Sequence, residues 1–356
     1  MCVVRVLLMS KYDRMGASSR LRSYQYLPYL NQHGVDVEIS PLFDDAYVKG
    51  LYIRKVSRLQ VVLAYIQRLR QIFNVRSYDL IWVEKEVLPW LPAFLELLLL
   101  RRTRPLTVDY DDAVFHRYDK HRSALVRWVL GRKIDRIMAA SDVVIAGSEY
   151  LVERARLAGA RRIEKLPTVV DLHRYSLLPI RRIENVLTIG WIGSPGTAHY
   201  LLPLISVFRL LHENFTVRVV AIGAKNCAEF DDLIEVLPWS EDTEANLLSQ
   251  IDIGIMPLPD EPFERGKCAY KLIQYMAASK PIVASPVGEN VYVVRPGVNG
   301  FLATSESEWF SALSKLCNDA ALCERFGQAG RDIADQMYSL SVTAPRLLRL
   351  FRSIIQ

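Results

Sequence analysis

The chain has 356 residues, 51% hydrophobic and 24% charged, the composition of a globular protein with room for about two domains. Its charge is uneven: residues 1–175 hold 29 Lys+Arg against 19 Asp+Glu, or +10, and the remainder 16 against 20, or −4, so the basic half is expected to meet something anionic. The longest apolar stretch, LPAFLELLLL, is interrupted by Glu96 and ends at Arg101, short of the ~18 uncharged residues of a membrane span, and MCVVRVLLMSKYDR is charged too early for a cleavable signal.

In chain order, VRVLLMS reads as a buried strand, KYDRMGASS as a Gly/Ser turn, RLRSYQYLPYLNQHG as an amphipathic helix ending at Gly34, and VDVEIS as a second strand. RKVSRLQVVLAYIQRLRQIF predicts a basic helix with Val56, Leu59, Leu63 and Ile66 on one face and Arg54, Lys55, Arg58, Arg68 and Arg70 around it. Such a helix can lie on an anionic membrane or cover a sheet. LIWVEKE and PLTVDYDDA are strands, ALVRWVLGRKIDRIMAAS a helix and DVVIAGS a strand, before KLPTVVDLHRYSLLPIRRIEN interrupts the periodicity as a linker. NVLTIGWI, GSPGT, AHYLLPLISVFRLLHEN and FTVRVVAIG then repeat the strand, turn, helix, strand opening. Strands alternating with helices in both halves predict two Rossmann-like, doubly wound parallel sheets. The boundaries read as 1–172, a linker at 173–186, a second domain at 187–337 and a closing helix at 338–356. Five cysteines without a CxxC pair (Cys2, Cys227, Cys268, Cys317, Cys323) argue for a reducing cytoplasm and against a structural zinc.

The stretch with most chemical content is ERGKCAYKLIQYMAASKPIVASP. Ala269, Leu272, Ile273 and Met276 recur at core-facing spacing, and Lys267, Lys271 and Gln274 fall on the opposite stripe of a helix expected to begin after Gly266. Unpaired N–H groups and the positive dipole end favour an anion at a helix N-terminus. Two ammonium groups there suit a phosphate, and the strand and SPVG loop that follow belong where open α/β sheets keep ligands. Elsewhere Arg20 and Arg22 open the helix after Gly16, an unfavourable end for cations unless an anion is bound. Asp109, Tyr110 and Asp111 imitate a DxD metal motif, a reading rejected because that motif belongs to a fold with one nucleotide domain. Asp112 and His116 are candidates to orient or deprotonate an acceptor, with helix capping the alternative for Asp112. Glu84, Lys85 and Glu86 follow a strand in a loop where an acceptor could be met, or form surface ion pairs.

As a set, LPTVVDLHRY, GKCAYKLIQYMAASKPIVASPVG, VVIAGSEYLVERA and the closing YSLSVTAPRLLRLF resemble the family 4 glycosyltransferases of GT-B fold, over nearly the whole chain. The resemblance implies two domains facing a central cleft and a closing helix that crosses back to the first. It implies a retaining, hexosyltransferase-type enzyme of bacterial-type polysaccharide biosynthesis, moving a sugar from a UDP- or GDP-type donor to a glycan or lipid-linked acceptor. Neither a separate cofactor, a metal nor nucleic acid is implied. The donor would meet Gly16, Arg20, Gly193, Ser194, Gly196, Thr197, Gly223, Trp239, Gly266, Lys267, Tyr270, Lys271 and Gln274. Glu84, Lys85, Glu86 and Asp111 would lie on the acceptor side, and Lys271, Lys267, Asp112 and His116 would carry the chemistry. The chain departs from the family's E-x7-E segment: Gly266 stands for the first glutamate and Gln274 for the second, while GSPGTAH replaces the usual Arg and Lys after the second domain's first strand. These departures keep open a sugar-nucleotide epimerase and a non-catalytic binding subunit. The expected location is cytoplasmic, peripheral at the inner face of the membrane.

Overall fold

Runs such as VRVLLMS and VLTIGWI are apolar at consecutive positions because a parallel sheet with helices on both sides leaves neither face to water. In the computed structural model, which describes residues 3–52, 55–100, 105–175, 186–225 and 227–355, these runs build two six-stranded sheets. The first contains β1 (Val4–Tyr12), β2 (Val35–Phe43), β3 (Leu80–Glu84), β4 (Leu106–Tyr110), β5 (Val143–Ala146) and β6 (Ile163–Lys165), in the order β2-β1-β3-β4-β5-β6. The second contains β7 (Leu187–Ile192), β8 (Val217–Ile222), β9 (Glu235–Leu237), β10 (Ile253–Met256), β11 (Ile282–Ala284) and β12 (Gly300–Leu302), in the order β12-β11-β10-β7-β8-β9. All pairings between these strands are parallel. Each sheet reverses direction once, between β1 and β3 and between β7 and β10, the switch points outside which doubly wound sheets bind ligands.

By internal contacts the chain divides into two units, Met1–Thr168 with Arg265–Cys268 and Thr343–Gln356, and Val169–Glu264 with Ala269–Val342. Most of the stretch read as a linker, residues 176–185, lies outside the described residues, as do Arg54 of the basic helix and residues 101–104. Among the described residues no helix is long and apolar enough to cross a membrane. In the first unit the closing helix Leu340–Ile355 sets Phe351 edge-on to Trp82, ring centroids 5.1 Å apart, and Arg352 donates to the His33 carbonyl at 2.9 Å.

Several helices differ from the sequence reading, each at an identifiable residue. The stretch after Gly16 is three pieces, Ala17–Arg22, a 3-10 turn Tyr24–Tyr26 and Leu27–Gln32, the last with Pro28 in its first turn, where a missing N–H is tolerated. The helix after GSPGT is a 3-10 segment Pro195–Leu204 containing Pro203, and becomes α-helical only over Ile205–Asn214. The basic helix runs Arg58–Phe73, started by a Ser57–Gln60 capping box.

The second unit's core shows strand alternation directly. Ile189, Trp191, Val217, Val219, Ala221, Ile253, Ile255 and Val283 pack in one cluster, and Ile192, Val220, Ile222, Met256, Ile282 and Ala284 in the other. Gly254 interrupts the second face, and the Tyr275 ring of the helix Tyr270–Ala277 occupies the space a side chain would take. The Tyr275 hydroxyl then accepts from the Ile192 N–H at 2.9 Å and donates to the Ile255 carbonyl at 3.1 Å, one bond to β7 and one to β10. Burial raises the phenol's pKa, so it remains the donor this bridge needs. Gly254→Ala should therefore overpack this contact and lower stability by about 1–3 kcal/mol in denaturant unfolding; an unchanged midpoint contradicts the assigned packing.

Candidate functional site

In the second unit, the helix Tyr270–Ala277 packs against the carboxyl end of β7. Lys271, in its first turn, sets its ammonium 4.0 Å from the centroid of the Trp191 ring, a cation–π contact. A Cβ on Gly193 would lie 2.8 Å from the Lys271 nitrogen and 2.3 Å from the edge of the Trp191 ring, so only glycine lets the backbone after β7 pass this close. The turn continues through Ser194, whose carbonyl accepts from the Thr197 N–H at 2.9 Å and hydroxyl at 3.0 Å, and Gly196, which has open space where a Cβ would be. Gly223, at φ +78°, ends β8 beside the Gly193 carbonyl; a Cβ there would sit 3.1 Å from Trp239 Cβ. Trp239 is 38% exposed and donates its indole N–H to Glu244 at 2.8 Å. Gln274 is buried and donates to the Tyr175 hydroxyl at 3.3 Å. A glycine turn and an ammonium from the first turn of an eight-residue helix thus meet at the second sheet's switch point, an arrangement suited to a phosphate group.

Two sequence expectations are corrected here. Lys267 is not on the helix: Ala269 is left-handed at φ +52°, which breaks the helical path one residue before Tyr270 and sends 266–268 elsewhere. Nor do Lys267, Lys271 and Gln274 share a solvent stripe, since Gln274 is turned inward.

The stretch Arg265–Cys268 belongs to the first unit. A Cβ on Gly266 would meet Ala113 N at 2.8 Å and Ala113 Cβ at 2.5 Å, and Cys268 Sγ donates to the Asp111 carbonyl at 3.0 Å. The backbone of 111–113 thus fills the room a longer side chain at 266 would need.

At the first sheet's switch point, Lys85 is left-handed at φ +65°, a conformation that costs about 1–3 kcal/mol and clusters at functional sites. Its ammonium reaches Asp111 at 2.8 Å, Asp112 at 3.7 Å and the Ser18 hydroxyl at 2.9 Å. Burial works against the charge on Lys85, but the two aspartates outweigh it and raise its pKa. Burial likewise pushes Asp111 up, and Lys85 more than offsets this, so Asp111 falls below its ordinary value. Asp112 is raised by burial and by the charge of Asp111. Glu84 accepts from Ser19 Oγ at 2.6 Å and from the Lys11 N–H at 3.2 Å, and burial raises its carboxyl. Gly16 precedes the helix that carries Ser18 and Ser19 and packs against Tyr12, leaving no room for a Cβ.

Other candidates are bound into the interior. Glu86 accepts from the Tyr118 hydroxyl and pairs with buried Lys133 at 2.7 Å, which also holds Glu96. His116 bonds Asp119 at 2.8 Å and the Tyr150 hydroxyl at 2.9 Å, so both ring nitrogens are engaged. Arg20 and Arg22 lie at the C-terminal end of a six-residue helix, not its start, which removes the dipole argument for an anion there. Arg20 is buried and donates to the Arg14 carbonyl at 3.2 Å. Arg22 meets buried Asp109 at 2.8 Å, and burial, opposed by Arg22, brings the Asp109 pKa to about 6. Sequence reasoning passed over Lys11, Ser18, Ser19, Tyr175 and Glu244. Of these, Lys11, Ser18 and Ser19 stood in the KYDRMGASS turn and Tyr175 in LPTVVDLHRY, while Glu244 stood in no motif.

Residues 184–319 match the model of the glycosyl transferases group 1 family. TuaH of Bacillus subtilis (strain 168), a glycosyltransferase assigned to teichuronic acid biosynthesis, is 25% identical over 180 residues. That match spans 46% of this chain and 45% of TuaH, less than half of the relative's length. Anabaena HepE, solved with UDP and glucose, superimposes with a TM-score of 0.71 at 17% identity, covering 98% of this chain and 100% of that one. The sucrose-phosphate synthase of Thermosynechococcus elongatus gives 0.74 at 14% identity, covering 98% of each. The chain has the GT-B fold, and its second half carries the stretch that resembles the group 1 glycosyl transferases.

The first-unit cluster also sets a pH dependence. Burial, then the charges of Arg117 and Lys85, lower the Lys11 pKa to about 8 from 10.5. Between those values the unfolded chain holds the proton that the native state has lost, so this residue makes stability rise with pH. Lys11→Met should remove that rise: urea unfolding of wild type, relative to the variant, should gain stability from pH 8 to about pH 10, and parallel profiles would contradict the assignment.

Proposed function

We propose that this chain, whose second half resembles the group 1 glycosyl transferases, is a retaining glycosyltransferase that transfers a hexosyl group from a nucleotide diphosphate sugar to a glycan or lipid-linked acceptor of bacterial-type polysaccharide biosynthesis. The observation that carries the reading is Lys271, in the first turn of its helix, with its ammonium held over Trp191 and beside Gly193 at the second sheet's switch point. Breaking the sugar–phosphate bond builds negative charge on the departing diphosphate. An ammonium and preoriented backbone N–H groups stabilise that charge where it develops, and this is the interaction that lowers a barrier. The mechanism needs no metal, because the chain's own cation meets the diphosphate. A UDP-type donor is favoured by the structural likeness to HepE, which was solved with UDP and with UDP-glucose. Asp112, whose carboxyl is raised by burial and by the charge of Asp111, and Lys85 beside it are the first-unit groups that this reading assigns to an acceptor hydroxyl.

The basic helix Arg58–Phe73 supports a peripheral site of action at the cytoplasmic face of an anionic membrane. Leu59, Val62, Leu63 and Ile66, 41–65% exposed, form one stripe, with exposed Arg58 and Arg70 on the same helix. This is the arrangement of an interfacial helix. Buried Arg68 turns the opposite way and donates to the Ser10 carbonyl at 2.6 Å.

Lys271→Ala should weaken UDP binding by about 1.5–3 kcal/mol, the worth of a hydrogen bond to a charged group, and reduce turnover further, since the charge is greatest in the transition state. Calorimetry with UDP and product analysis after incubation with UDP-sugars check both. Unchanged constants sink the role of Lys271, and an isomerised sugar nucleotide would indicate an epimerase. Turnover should survive EDTA; loss restored by manganese would move Asp109 and Asp111 into a metal site. In co-sedimentation with anionic vesicles, Arg58→Glu with Arg70→Glu should release the protein at low salt. Each basic residue contributes roughly 1 kcal/mol near such a surface; wild type that stays in the supernatant would refute membrane docking.

A further inference from the structure

Glu244 is a buried carboxylate that opens the short helix Glu244–Ser249 in the second unit. Its two oxygens are used by different parts of the chain: Oε1 accepts from the Tyr175 hydroxyl at 2.9 Å and Oε2 from the Trp239 indole N–H at 2.8 Å. The Tyr175 hydroxyl in turn accepts from the Gln274 amide at 3.3 Å. One carboxylate therefore ties together the segment preceding β7, the loop following β9, and the helix that carries Lys271. Burying a carboxyl group is unfavourable unless its bonds are made, and an apolar side chain would fill the same volume without that requirement. What distinguishes the carboxylate is orientation: with the N–H fixed, the half-exposed indole cannot turn about its χ angles without breaking a bond.

The surroundings say what such a fixed ring could receive. Lys271 and Gln274 lie three apart on one helix, Gln274 buried and bonded to Tyr175 and Lys271 over Trp191. Gly193 lies against the Lys271 ammonium, Gly223 against the Gly193 carbonyl, and Trp239 beside Gly223. The groups therefore run from a cation through two glycine backbones to an aromatic ring. Phosphate, ribose and base follow one another in the same order in a nucleoside diphosphate. We infer that Glu244 is a positioning residue for the nucleoside, holding the Trp239 indole as a stacking platform for the base. This rests on the nucleotide-sugar reading above. Stacking on an indole is tolerant of base identity, so the device supplies affinity and leaves base selection to other contacts.

The test is calorimetric binding of UDP and GDP, with donor kinetics, for Trp239→Ala, Glu244→Gln and the double variant. Loss of a stacking partner should weaken both nucleotides about tenfold or more and raise KM for the donor while kcat stays within about twofold. Glu244→Gln should weaken binding in the same way, and the double variant should lose less than the product of the two single losses, because both act on the same ring. A merely structural Glu244 would lower the unfolding temperature and leave nucleotide affinity within about twofold of wild type once folded, and that result overturns the inference. If Glu244→Gln does not fold, Tyr175→Phe removes one of the two bonds and should still weaken UDP; no change in that variant or in Trp239→Ala overturns the inference equally. Wild type that binds neither nucleotide, with Lys271→Ala the same, would remove the donor reading itself, an outcome separable from failure at Glu244 alone.

Discussion

The seating of Tyr275 on Gly254 is the contact on which the second unit's site depends. Strands β7 and β10 pair over Ile253–Ile189 and Gly254–Gly190, and the Tyr275 hydroxyl then takes the Ile192 N–H and the Ile255 carbonyl. A buried N–H without a partner is costly, so the phenol allows the switch point to open without leaving the backbone unsatisfied. The same ring fixes the rotation of its helix, and with it the direction of Lys271, four residues earlier. Position 254 must lack a side chain for this to happen, and so must Gly193, over which the Lys271 ammonium lies.

The first unit solves a different problem at its own switch point. There the side chains are charged and crowded together, Glu84 and Lys85 buried and Asp111 and Asp112 half-buried beside them, with hydroxyls from Ser18 and Ser19. Close unlike charges in a low-dielectric setting hold each other ionised, while the surplus carboxyls are driven toward neutrality. The raised Asp112 and the lowered Lys11 follow from that crowding. Glu86 and His116, by contrast, have their polar atoms bonded within the unit, to Tyr118 and Lys133 and to Asp119 and Tyr150.

The two sheets were legible from apolar runs alone, since a parallel strand covered on both faces has a distinctive composition. That Lys271 and Gly193 stand close together was not legible, since residues 78 apart in sequence meet only through the sheet. Lys267 was misplaced on the helix because nothing in CAYK announces a left-handed alanine; that conformation is imposed by tertiary packing, not by local preference. Arg20 and Arg22 were misread for a related reason: the break at Ser23 shortens their helix, so the end that looked N-terminal is C-terminal. Glu244 and Tyr175 were out of reach of pattern reasoning altogether, since their partnership joins residues 69 apart in sequence.

The central claim, that a nucleoside diphosphate binds at the second sheet's switch point, is tested most directly by fluorine NMR of protein labelled with 5-fluorotryptophan and titrated with UDP. Six tryptophans report at known places. The account predicts saturable shifts of Trp191, beneath Lys271, and Trp239, beside Gly223, with Trp82, Trp90, Trp128 and Trp309 unmoved. Shifts confined to those four, or none at saturating UDP, would contradict it.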